Sequence, residues 1–113
     1  MRDWPAEIRA LKRICERAEE GSEGGVRVAV LPDLAIAVAG AKKPVIRDAV
    51  LWPEARDGYP SRLFLSEQIE RPGLNWNKTF NMLGRAWQSW SWKDVPNDAP
   101  LTEMLTNHLR AFR

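Results

Sequence analysis

Two side chains in this sequence could do nucleophilic or proton-transfer chemistry unaided, and each type occurs once: Cys15 and His108. A thiolate attacks electrophiles and binds metals, and an imidazole moves protons near neutral pH. Cys15 falls on the apolar stripe of a predicted N-terminal helix, where a buried small hydrophobe is the plainer expectation. His108 stands between Met104 and Phe112 on the apolar side of a predicted C-terminal helix. An internal hydrogen bond suits that position better than catalysis. The other chemistry-bearing stretch is residues 71–93, RPGLNWNKTFNMLGRAWQSWSWK. It holds Trp76, Trp87, Trp90, Trp92 and Phe80 with the cations Arg71, Lys78, Arg85 and Lys93, and no acid. Such a cluster is either a core wall or a recognition surface anchored by Trp76, Arg85, Trp87, Trp90 and Trp92. Arg85 could stack on Trp87 or Trp90 as a local cation–π pair. Helical spacing would put Trp87 and Trp90 on one face, whereas an extended chain would pair Trp90 with Trp92. At least one ring is therefore expected to point away from the core.

Composition narrows the choices. A chain of 113 residues is expected to form one domain, residues 1–113. One cysteine excludes an internal disulfide framework, and one cysteine with one histidine argues against structural zinc. No cofactor is expected. The longest apolar run, 34–41, is far short of the roughly 20 residues that cross a bilayer. The opening MRDWPAE has no signal-peptide character, so a cytoplasmic location without membrane partners is expected. A net charge of only +2 makes nucleic acid an unlikely partner by electrostatics, although the basic-aromatic segment keeps single-strand stacking open.

The elements that must position these residues follow from periodicity. Asp3 can cap a helix with Pro5 in its first turn. Trp4, Ile8, Leu11, Cys15 and Ala18 then recur at helical spacing until Gly21 and Gly24-Gly25 end it. Its far end is acidic, with Glu16, Glu19, Glu20 and Glu23. Runs 26–31, 34–39, 45–52 and 61–68 predict four strands in an antiparallel meander, with 34–39 covered on both faces. Residues 79–87 suggest a short helix or turn. Asp98 is a candidate N-cap for a last helix that presents Leu101, Met104, Leu105, His108, Leu109 and Phe112. The fold class is α+β: helix, four-stranded meander, irregular Trp-rich segment, helix.

That order resembles the ubiquitin-conjugating-enzyme fold. The resemblance rests on Leu51-Trp52-Pro53, then Tyr59-Pro60, then Leu63-Phe64, set between the third and fourth predicted strands. The Tyr-Pro step is expected to fix a tight turn and lay its ring over the end of the sheet. Gly84, Arg85, Trp87, Gln88, Trp90 and Ser91, with His108 and Leu109, are similar to the C-terminal signature of the bacterial relatives called prokaryotic family E. The resemblance spans most of the chain in outline and about 45 residues in motif.

The family passes a ubiquitin-like protein through a thioester on a cysteine after the fourth strand, preceded by a His-Pro-Asn element. Here only Arg71-Pro72-Gly73 stands at that place, and no cysteine follows Ile69. Asn75 and Asn77 lie near the family's oxyanion-stabilising asparagine, which makes them and His108 the weak catalytic candidates that the resemblance implies. Without a thiolate, transthiolation is absent. The resemblance then implies non-covalent binding of a ubiquitin-like protein or an activating-enzyme-like partner, within a bacterial modification or defence system. In relatives the first helix contacts the activating enzyme, which gives the acidic helix end a possible role. Two alternatives stay open: an active conjugating enzyme whose catalytic cysteine has been replaced in this sequence, near Asn75 or Lys78 within residues 74–81, and a single-strand nucleic-acid binder.

Overall fold

The Asp3 carboxylate accepts the Ala6 N–H at 3.1 Å and starts α1, Trp4–Leu11. The computed structural model describes residues 2–92 and 94–113, so Lys93 lies outside the described residues. The helix is shorter than its apolar spacing predicts. Beyond Leu11 the chain turns, and Cys15 and Ala18 reach the same core from irregular backbone. Residues 19–23 are not helical: β1, Glu19–Glu23, pairs antiparallel with β2, Val26–Ile36. Gly24 and Gly25 are both left-handed, φ 57° and 84°, so they make a hairpin turn rather than a helix stop. Glu19, Glu20 and Glu23 therefore belong to a sheet edge, where Glu20 pairs with Arg27 at 2.6 Å, while Glu16 lies in the turn before it.

The meander is present, order β1-β2-β3-β4, with β3 at Val45–Trp52 and β4 at Arg62–Leu65. Its strands are divided differently from the sequence expectation. Run 26–31 and the first three residues of run 34–39 form one strand that ends at Ile36, with a bulge between Leu31 and Leu34. Pro32 has no N–H, and Asp33, at φ 52°, donates its own to Asp48 Oδ1 at 2.9 Å. After the bulge Leu34 and Ile36 are buried and Ala35 is exposed, so this end of the strand is covered on one face, not two.

Both helices cover one face of the sheet. There Leu11, Leu31, Leu51, Leu65, Leu105 and Phe112 belong to one buried cluster. α2, Leu101–Leu109, and a 3₁₀ turn at Arg110–Phe112 lay the predicted apolar side inward. Asp98 does not cap α2. Its first amide, Leu101 N–H, donates instead to Glu7 Oε1 of α1 at 2.6 Å, and Arg2 holds that carboxylate at 3.0 Å. No helix among the described residues is long and apolar enough to cross a membrane.

The Trp-rich segment covers part of the other face. It folds as nested β-pairs: β5, Asn75–Trp76, with β8, Trp90–Ser91, and β6, Phe80–Met82, with β7, Arg85–Trp87. The helix or turn suggested for 79–87 is thus a hairpin. Its turn puts Leu83 and Gly84 at φ 51° and 74°, and the Leu83 N–H is taken by Glu23 Oε1 at 2.5 Å. Gln88 then exchanges two 2.7 Å backbone hydrogen bonds with Leu65, laying the returning strand along the outer edge of β4. In extended chain, residues three apart face opposite sides. Trp87 accordingly packs with Val28, Val50, Trp52 and Phe64, while Trp90 packs with Phe112 and Trp76 in the helix-side core. Neither points away from a core, because the segment straddles the sheet edge between two cores.

Trp87→Ala and Trp90→Ala should each lower unfolding free energy by roughly 3–5 kcal/mol in urea titrations, the range for truncating a buried aromatic. Arg85→Ala, at an exposed site, should stay within about 1 kcal/mol. A Trp87→Ala loss no larger than that of Arg85→Ala would refute the two-core placement.

Candidate functional site

The residues with the most chemistry converge where β4 meets the Trp-rich hairpin. Arg62 opens β4, and its side chain is only 3% exposed. One guanidinium nitrogen donates to Asp57 Oδ2 at 3.3 Å. The other donates to Asn77 Oδ1, to Ser89 Oγ at 3.1 Å and to the Trp90 carbonyl at 3.3 Å. The guanidinium carbon stands 4.6 Å from the Tyr59 ring centroid and 5.1 Å from that of Phe80. Burial lowers its pKa, opposed by Asp57, and an arginine remains charged. Arg56 stacks 4.5 Å from Trp52 on the same aromatic wall. A tight turn joins the two arginines, with Asp57 and Gly58 left-handed and Arg56 and Tyr59 exchanging backbone hydrogen bonds of 2.8 and 2.9 Å. The turn expected at Tyr59-Pro60 thus sits just before it, at Asp57-Gly58, and the Tyr59 ring lies on Arg62.

His108 is buried on α2, as its sequence position suggests, with Nε2 3.0 Å from Ser61 Oγ. A serine–histidine pair at this distance has the geometry of a nucleophile and its base. The proton inventory argues otherwise. Ser61 gives its one proton to the Val95 carbonyl at 2.8 Å, so Nε2–H donates to Ser61 and cannot accept from it. The space beside the pair is about 10 Å³, the room of a single water and too small for a substrate. Burial, and then the positive charge of Arg62, push the imidazole down to about 4.

The remaining candidates separate. Asn77 is committed to Arg62 and, through Nδ2, to Ser91 Oγ at 3.1 Å, so its amide braces the hairpin. Asn75 is exposed, 3.5 Å from the same hydroxyl. Trp76 is half-buried against Trp90, and Trp92 donates its indole N–H to the Asn107 carbonyl at 3.1 Å. Arg85 stacks on Trp87 at 4.8 Å and pairs with Asp48 at 3.0 Å. The Asp33 amide first, and then Arg85, hold the Asp48 carboxyl below the usual range. Arg71 reaches the Arg113 carbonyl at 2.9 Å. Cys15 is buried with Sγ 3.1 Å from the Pro32 carbonyl, and burial pushes its thiol up. Among the described residues no group of three or more His, Cys, Asp or Glu is placed to hold a metal.

Of the predicted site residues, Asn77, Trp90 and His108 meet around Arg62 and Ser61, while Trp87 packs with Val28, Val50 and Phe64 and Arg85 stacks on its ring. Sequence reasoning did not single out Arg62, Arg56 or Ser61. The available signal was Ser61-Arg62-Leu63-Phe64-Leu65, a charge set among apolar residues in a strand, where burial demands a partner. Comparison with protein-family models, curated proteins and solved structures finds no match for this chain.

The buried imidazole sets a pH dependence. The unfolded chain takes up the proton near 6.5 and the folded chain only near 4. Between these values the unfolded state binds more protons, so stability is complete above about 6.5 and falls as pH drops towards 4. The full shift corresponds to about 3 kcal/mol. Urea midpoints measured from pH 7 to pH 4 should drop for the wild type and drop less for His108→Asn. Parallel curves for the two proteins would rule out a neutral, buried His108.

Proposed function

We propose that this chain is a ubiquitin-conjugating-like domain that binds a ubiquitin-like protein non-covalently, in the cytoplasm of a bacterial modification or defence pathway. The observation that carries this reading is the end of the sheet's outer face that the Trp-rich hairpin leaves uncovered. There Ile46 is 50% exposed and pairs in register with exposed Ala35. The Arg85–Asp48 ion pair lies on the same face. An apolar spot rimmed by paired charge suits a protein partner, with Ile46 as its anchor. Two further facts favour binding over transfer. The only thiol is buried in contact with the Pro32 carbonyl, and the only imidazole is enclosed with its protons committed. Nucleic-acid stacking is less well supported, since Trp87 and Trp90 are buried and Arg85 is paired.

Calorimetric titration with a bacterial ubiquitin-like protein should give a saturable complex. Ile46→Asp should weaken it roughly tenfold or more, about 1.4 kcal/mol, and leave the urea midpoint nearly unchanged. Binding of an activating-enzyme-like protein alone would move the assignment to that partner. Absence of a complex with either would sink the proposal.

A further inference from the structure

At the far end of β3 from Ile46, about 20 Å along the strand, a second feature of the outer face has no role in that docking. It is a groove of about 280 Å³ lined by Asp57, Tyr59, Arg62, Asn77, Lys78 and Phe80. Its charge is unbalanced. Arg62 is buried, yet its one carboxylate partner among the described residues, Asp57, is 46% exposed and 3.3 Å away. Arg56 shares that same carboxylate at 3.5 Å. Lys78 stands exposed on the groove wall. Arg62 and Lys78 line the groove, and Arg56, outside its lining, draws on the same carboxylate, so three cations against one carboxylate leave an excess of two positive charges (3 − 1) around a concave site walled by the Tyr59 and Phe80 rings. A buried guanidinium with so little countercharge is costly to desolvate.

We propose that this groove binds a phosphate group, free or as the monoester of a small ligand. A phosphate carries about −1.5 to −2 charge at neutral pH, which matches the excess of two, whereas one carboxylate would leave a residual cation. Lys78 supplies a mobile point charge at the mouth, and Arg62 supplies a fixed planar donor at the floor. The Tyr59 and Phe80 rings give a monoester's organic part an apolar wall. Asp57 occupies the cations when phosphate is absent. Its left-handed turn position, φ 54°, also tolerates asparagine, so its charge can be removed without backbone strain.

The test is a titration of the full chain with inorganic phosphate and, separately, phenyl phosphate, with ionic strength held constant by sodium chloride. Amide NMR shifts should saturate at Asp57, Tyr59, Asn77, Lys78 and Phe80. Lys78→Ala should weaken binding roughly tenfold, Asp57→Asn should tighten it, and Lys42→Ala, at another exposed lysine, should match the wild type. Equal binding of both ligands identifies free phosphate as sufficient, and tighter phenyl phosphate identifies a monoester. No saturable shift with either ligand overturns the proposal. Equal losses in Lys78→Ala and Lys42→Ala would also overturn it, since they mean unspecific charge screening.

Discussion

Burying the Arg62 guanidinium is the constraint on which the rest of this fold depends. A cation removed from water costs several kcal/mol unless donors and countercharge are met in place. Here the partners come from separate parts of the chain: Asp57 from the tight turn, Asn77 and Ser89 from the two sides of the Trp-rich hairpin, and the Trp90 carbonyl from its end. Asn77, Ser89 and Trp90 are not close to Arg62 unless the hairpin has wrapped the outer edge of β4. The charged centre and the hairpin therefore form together. The aromatic rings around it, Tyr59 and Phe80, add cation–π attraction in a setting where water competes little.

That wrapping decides what the aromatic segment is for. A strand running along the edge of β4 places alternate side chains on opposite faces, so Trp87 and Trp90 close two different cores. The hairpin also shields β4, which would otherwise be an exposed edge open to aggregation. The opposite edge, β1, carries Glu19, Glu20 and Glu23, whose charges serve the same protective purpose. The surface left for recognition is consequently not the tryptophan cluster itself. The sheet around Ile46 stays uncovered, and the cationic groove beside Lys78 stays open.

Much of the layout was legible because burial follows local periodicity. The inward face of α2, the extent of β3 and the Asp3 cap all follow from spacing alone. The failures have one cause. Residues 12–23 keep helical spacing of buried positions, yet Gly24-Gly25 offers a two-residue left-handed turn, and backbone pairing with β2 takes residues 19–23 into a strand. Pro32-Asp33 carries turn chemistry but sits in a bulge, since Asp48, distant in sequence, supplies the acceptor for the Asp33 amide. The Leu83-Gly84 turn likewise depends on Glu23. Each missed feature is a local ambiguity resolved by pairing: with the adjacent β2 for residues 19–23, and with partners far along the chain for Pro32-Asp33 and Leu83-Gly84. The same holds for the site: Arg62 and Ser61 gain their significance from Asn77, Ser89, Val95 and His108, none of them neighbours in sequence.

The central claim, that the Trp-rich hairpin is an integral clip on β4 rather than a detachable recognition arm, is open to one direct measurement. Native-state hydrogen exchange reads the free energy of opening at single amides. The Leu65, Asn77 and Gln88 amides, bonded across the clip at 2.7 to 2.8 Å, should exchange only through global unfolding, with the same denaturant dependence as β3. Exchange at Gln88 and Asn77 through a separate, lower-energy opening would contradict the account, and would show that the segment lifts off and exposes its tryptophans.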